Sequence, residues 1–62
     1  MKFKLKQRRE AAGVSQTDLA KVSGVGRVTI NRMERGELEE TTAGTLVKLA
    51  NALGCTVDDL IE

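Results

Sequence analysis

The segment Ser15 to Gly36 reads SQTDLAKVSGVGRVTINRMERG, and its punctuation leaves the chain few options. Ser15 is a good N-cap, and Asp18 three residues later completes a capping-box pattern, so a helix starts there. Leu19, Ala20 and Val22 supply its inward side. Gly24 falls where the chain must turn sharply, and glycine takes a positive φ there without steric cost. Val25 plugs the turn into the core, and Gly26 opens a second helix with Ile30 and Met33 inward at i and i+3. The other face of this helix carries Arg27, Val28, Asn31 and Arg32, and Gly36 stops it. Two short amphipathic helices at this spacing fit a helix-turn-helix, whose use is to hold the second helix where it can enter the DNA major groove. They fit as well an ordinary helical hairpin with a solvated polar face. Spacing alone does not separate the two.

The rest of the chain predicts three further helices. Helix one runs from about Lys2 to Ala12, with Leu5 and the alanines inward and Gly13 ending it. Helix four begins near Thr42 as N-cap and runs to Leu53, its Leu46, Leu49, Ala50 and Leu53 forming an i, i+3, i+4, i+7 stripe. Helix five starts at Thr56, capped in T-x-x-D style by Asp59, and offers Val57, Leu60 and Ile61 as its apolar face. β-Branched residues never alternate with polar ones for long enough to suggest a sheet. The expected fold is all-α, five helices in one domain over residues 1–62, around Leu5, Leu19, Val25, Ile30, Met33, Leu46, Leu49, Leu53, Val57 and Leu60.

Composition removes several function classes. One cysteine excludes an internal disulfide and a cysteine-based zinc site, and the absence of histidine removes most zinc and general-base chemistry. No metal and no cofactor are expected. Cys55 reads as a small buried hydrophobe, and an unpaired thiol favours a reducing, cytoplasmic setting. No run approaches the roughly 18 apolar residues of a membrane span, and the N-terminus lacks a signal-peptide core. Phe3 is the only aromatic residue, which argues against stacking on single-stranded nucleic acid. An enzyme is not expected. There are no paired carboxylates in a recognisable cleft, and Gly24-Val25-Gly26 lacks the strand and further glycines of a nucleotide loop.

A net charge of +1 conceals strong polarity. Residues 1–36 hold nine Lys/Arg against three acids, whereas residues 37–62 hold Lys48 alone against six. Such a chain can turn a basic face to phosphate while its far side stays acidic. The two short helices lie in the basic half.

The run VSQTDLAKVSGVGRVTINRMERG, followed by TLVKLANALGCTVDDLIE, closely resembles the lambda-repressor-like, Cro-type family of helix-turn-helix DNA-binding domains. The matching elements are Ser15-Gln16, Leu19-Ala20, Gly24-Val25, Ile30, Glu34-Arg35-Gly36 and the stretch Leu46 to Gly54, in order, from about Leu5 to Ile61. The resemblance implies double-stranded DNA as partner, with helix three in the major groove. Arg27, Val28, Asn31 and Arg32 are then the base-reading candidates, and each suits the work. Arginine grips guanine O6 and N7, asparagine pairs with adenine, and a valine methyl packs on a thymine methyl.

Gln16 matches the family's phosphate clamp at the start of helix two, and Thr17, Thr29 and Arg35 are further phosphate candidates. Arg9 and Glu34 match a family pair that forms a structural salt bridge between helices one and three. Lys2, Lys4 and Lys6 either reach the DNA backbone or are solvated. Family members often pair through the last helix, which makes Val57, Leu60 and Ile61 the expected homodimer interface on DNA.

Two departures stand out. Gly26 replaces the usual hydroxyl or amide N-cap of helix three, and the loop Glu37-Leu38-Glu39-Glu40-Thr41 is acidic where relatives are often basic. That loop swings away from DNA, weakens binding, or faces a protein partner. The leading expectation is a sequence-specific transcriptional regulator, a repressor that occupies a palindromic operator as a dimer. The competing one is an antitoxin-like or adaptor interaction module that kept the fold with weak DNA binding.

Overall fold

The computed structural model describes residues 2–38 and 41–62, so Glu39 and Glu40 of the acidic loop lie outside the described residues. It contains α1 (Leu5–Ala11), α2 (Gln16–Ser23), α3 (Arg27–Glu34) and α4 (Ala43–Leu53), then a single 3₁₀ turn, Asp58–Leu60. The described residues are all-α, with four α-helices rather than five.

Local chemistry accounts for most boundaries. Ser15 Oγ accepts the Asp18 N–H at 3.0 Å and starts α2. Gly24 ends α2 in the left-handed conformation (φ 76°), its N–H donating to the Ala20 carbonyl. No atom within 4 Å would meet a Cβ at Gly24, so backbone conformation, not space, requires glycine there. Gly36 (φ 75°) does the same for α3. Its N–H donates to Met33 O and the Glu37 N–H to Arg32 O, the paired bonds of a Schellman motif. Thr42 Oγ1 caps α4 by accepting from the Thr45 N–H.

The fifth helix is the main correction, and its cause also shortens helix one. Thr56 and Asp59 do form a reciprocal capping box, with Thr56 N–H to Asp59 Oδ2 at 3.0 Å and Asp59 N–H to Thr56 Oγ1 at 3.2 Å. One turn later Ile61 is extended (φ −114°, ψ 134°) and forms an antiparallel bridge with Phe3. Lys4 N–H donates to Leu60 O at 2.8 Å and Glu62 N–H to Lys2 O at 2.9 Å. The second bond takes the Lys2 carbonyl and the Glu62 N–H, which helices through these residues would use, and the first pairs two groups that a helix end would leave unsatisfied. Both ends therefore leave the helix.

Leu5, Leu19, Val25, Ile30, Met33, Leu46, Leu49, Ala50 and Leu60 are buried in one core. Leu53 and Val57, expected inside, are only partly buried against it, as are Phe3, Leu38 and Cys55. Burial raises the Cys55 thiol pKa above its ordinary value, with the Asp59 charge adding to the effect, so the group stays a neutral packing element. Two inward assignments fail. Val22 is 71% exposed, because α3 and α4 cover α2 along its Leu19 side and Val22 falls beyond that cover. Ala11 and Ala12 are exposed at the end of α1, past the reach of α3.

A candidate nucleic-acid interface on α3

Helix α3 buries Ile30 and Met33 and turns the opposite side outward. Val25, buried in the turn, sets where the helix begins, and its N–H is held by Ser23 Oγ at 3.1 Å. Gly26 contributes no side-chain cap, so the first N–H groups of α3 stay free toward solvent.

A charged clamp holds the helix against α1. Arg9 Nε donates to Glu34 Oε2 at 2.7 Å and Arg9 Nη2 to Glu34 Oε1 at 3.0 Å, while Arg9 Nη1 donates to the Val14 carbonyl at 2.8 Å. The side chains are 13% and 3% exposed. The hydrogen bond to Glu34 pushes the Arg9 pKa further above its ordinary range, against the opposing effect of burial. Arg9 and Glu34, expected to form this bridge, are in contact.

Arg27, Val28 and Arg32 are exposed and Asn31 is half-buried. Val28 is 72% exposed, an apolar side chain between polar neighbours with no core to pack against. Gln16, from the first position of α2, joins Arg27, Val28 and Asn31 around a shallow hollow of about 340 Å³. The fold therefore brings three base-reading candidates and one phosphate candidate together from two helices. Arg32 lies on the outward side but does not line the hollow.

The remaining phosphate candidates are scattered. Thr17 is exposed and Thr29 half-buried. Arg35 Nε pairs with Glu37 Oε2 at 3.1 Å on an open surface, so the first acid of the loop already occupies it. Lys2 and Lys6 are exposed, and Lys4 is half-buried beside the terminal bridge. A second hollow of about 330 Å³ lies at the C-terminal end of α3, between Phe3, Leu38 and Glu62; the phosphate candidate Arg35 borders it, as does Lys2.

The interface expected at the chain end needs correction. Leu60 is fully buried in the core and has no surface to offer a partner. Val57 and Ile61 are half-buried, and Ile61 is committed to the bridge with Phe3.

Sequence reasoning missed what Gln16 does inside the fold. Its Nε2 donates to Glu34 Oε1 at 3.2 Å, and its Oε1 accepts from Asn31 Nδ2 at 3.4 Å. These partners lie eighteen and fifteen residues away, so no local spacing signals them.

A helix-turn-helix family model matches residues 5–60. The chain belongs to the helix-turn-helix family. It is similar in structure to SinR in the SinR protein/SinI protein complex, with TM-score 0.87 and 28% identity, covering 94% of this chain and 56% of that one. It thus spans just over half of that relative's length. The crystal structure of SinR, the master regulator for biofilm formation, in complex with DNA aligns with TM-score 0.88 and 28% identity, covering 94% of this chain and 92% of that one. No curated protein matches the sequence. No helix among the described residues is long and apolar enough to cross a membrane.

Proposed function

We propose that this chain is a sequence-specific regulator of transcription that inserts α3 into the major groove of double-stranded DNA, without catalysis or cofactor. The observation that carries the reading is the outward face of α3, where Arg27, exposed Val28 and Asn31 meet Gln16 around one open hollow. Val28 alone marks no site, since Val22 is equally exposed; its place beside Arg27, Asn31 and Gln16 around one hollow is what counts. A base-pair edge gives that arrangement a use, since thymine offers a methyl and purines offer paired acceptors or donors. SinR, solved with DNA and similar over nearly the whole of this chain, supports the docking of a fold of this shape on duplex DNA.

The finer reading is a cytoplasmic repressor that fills a palindromic operator as a homodimer. The unit measures about 23 Å across, too small to reach two major-groove segments roughly 34 Å apart, so one copy suits one half-site. With Leu60 buried, only Val57 and Ile61 remain from the expected pairing face.

A second reading has its own support. Glu37 neutralises Arg35 just after α3, and SinR is also known in complex with the SinI protein. On that reading the loop, whose Glu39 and Glu40 lie outside the described residues, faces a protein partner. Selection of bound sequences from a random duplex pool, together with binding to random duplex across a salt series, separates the two. A regulator enriches a sequence and loses affinity steeply with salt, whereas an adaptor enriches nothing and binds weakly at every salt concentration.

A further inference from the structure

The clamp between α1 and α3 does not end at Glu34. Its carboxylate accepts twice from Arg9 and once more from Gln16 Nε2, and Gln16 Oε1 in turn faces Asn31 Nδ2. A line of four side chains thus runs from the buried seam to the open hollow. An amide side chain can present either end, but here the charged head of the line decides. A guanidinium only donates and a carboxylate only accepts. Gln16 must therefore turn its NH₂ to Glu34, which leaves its oxygen outward. Asn31 must then turn its NH₂ to that oxygen. Flipping either amide would set oxygen against oxygen in a half-buried place.

We propose that Gln16 is a positioning residue which passes this orientation from the Arg9–Glu34 pair to Asn31 and thereby makes Asn31 choose adenine over guanine. The proposal rests on the reading of α3 as the DNA-contacting helix. With one Nδ2 hydrogen held by Gln16, Asn31 has one N–H and its Oδ1 left to offer. Adenine, with an N7 acceptor beside an N6 donor, satisfies both. Guanine shows two acceptors, N7 and O6, and an unrestrained asparagine could turn its oxygen away and donate an amide hydrogen to either. Held by Gln16, Asn31 has only one hydrogen free and would press Oδ1 against O6. The discrimination thus comes from a residue that need not touch a base. This differs from the expectation that Gln16 serves phosphate alone, which would weaken binding to all sequences equally.

The test is selection from a random duplex pool, followed by affinity measurement on the enriched site, with parent, Gln16→Met, Asn31→Ala and the double variant of the full chain. The parent should enrich a site with one adenine whose preference disappears in Asn31→Ala. At that same position Gln16→Met should admit guanine, reducing an adenine-over-guanine preference of about tenfold to near parity. Preferences at other positions should persist. In the Asn31→Ala background, Gln16→Met should change nothing at that base pair.

A uniform loss of affinity in Gln16→Met, with the adenine preference intact, overturns the proposal and leaves the DNA-reading function standing. Failure of the parent to enrich any sequence overturns that function and the proposal with it. A readout without DNA covers the chance that Gln16→Met folds poorly. In the free parent, NMR should show one of the two Asn31 side-chain amide protons exchanging with water more slowly than its counterpart, a difference that Gln16→Met removes. Two Asn31 amide protons that both exchange as fast as those of an exposed asparagine in the parent would overturn the proposal at its first link.

Discussion

Helix α1 is held on two sides by different physics. On the α3 side, Arg9 makes a two-pronged pair with Glu34 from which water is nearly excluded. On the other side, fully buried Leu60 and the backbone bonds of the Phe3–Ile61 bridge bind the chain end. There Arg8 only covers the seam, reaching Asp59 Oδ1 at 3.5 Å with side chains 45% and 39% exposed. Adjacent arginines therefore perform unlike tasks. A guanidinium–carboxylate pair matters where its geometry is bidentate and water is scarce, and little where solvent screens a long contact. The charged seam also continues through Gln16 to the hollow on α3, whereas the apolar one stops at the core.

The largest expected effect lies on the apolar side. Leu60→Ala should cost about 2–5 kcal/mol in denaturant unfolding, the usual range for a fully buried leucine. A negligible cost would return Leu60 to the partner-facing role the sequence suggested. Next comes Glu34→Ala, which leaves Arg9 charged in a nearly dry seam and should cost about 2–4 kcal/mol, somewhat less than full burial would impose. A double-mutant cycle should give clear coupling for Arg9 with Glu34 and a much smaller one for Arg8 with Asp59. Equal couplings would erase the contrast between the two seams.

A smaller effect concerns acid. The backbone and side-chain hydrogen bonds from Thr56, with help from Arg8, hold the Asp59 carboxyl below its ordinary range. A depressed folded pKa contributes stability above the unfolded value, near pH 4, and that contribution is lost as pH falls through the folded value. Asp59→Asn should therefore lower the melting temperature at neutral pH and make no difference in strong acid. A constant offset at every pH would mean that the carboxylate charge is irrelevant there. The smallest effect on the fold should come from Glu37→Gln, which breaks only the exposed pair with Arg35. Its melting temperature should match the parent, while affinity for random duplex DNA rises at low salt and converges at high salt. Unchanged affinity at low salt would place Arg35 away from phosphate.

Much of the fold was legible because its signals are local. Ser15, Gly24, Gly36, Thr42 and Gly54 bound helices through bonds and torsions within a few residues, and all five do so here. The chain end misled for the same reason: the Thr56–Asp59 box is real, but a bridge to Phe3 overrides it after one turn. At the interface, the outward set Arg27, Val28 and Arg32 followed from periodicity once Ile30 and Met33 faced inward. The link from Gln16 to Asn31 did not, since helical spacing says nothing about a partner on another helix.

Sequence alone determined where α2, α3 and α4 begin and end, which glycines turn the chain, and that α3 carries a polar face with a valine in it. Those features rest on torsional limits and hydrogen bonds that close within one helical turn. Tertiary structure alone decided that the two chain ends pair as a bridge instead of extending helices. It also buried Leu60, left Val22 in solvent, and set Arg9 rather than Arg8 in the dry seam. Finally, it aimed Gln16 at Asn31 through Glu34. Each of these depends on which groups far apart in the chain come within bonding distance and on how much water remains between them, and both are properties of the packed molecule.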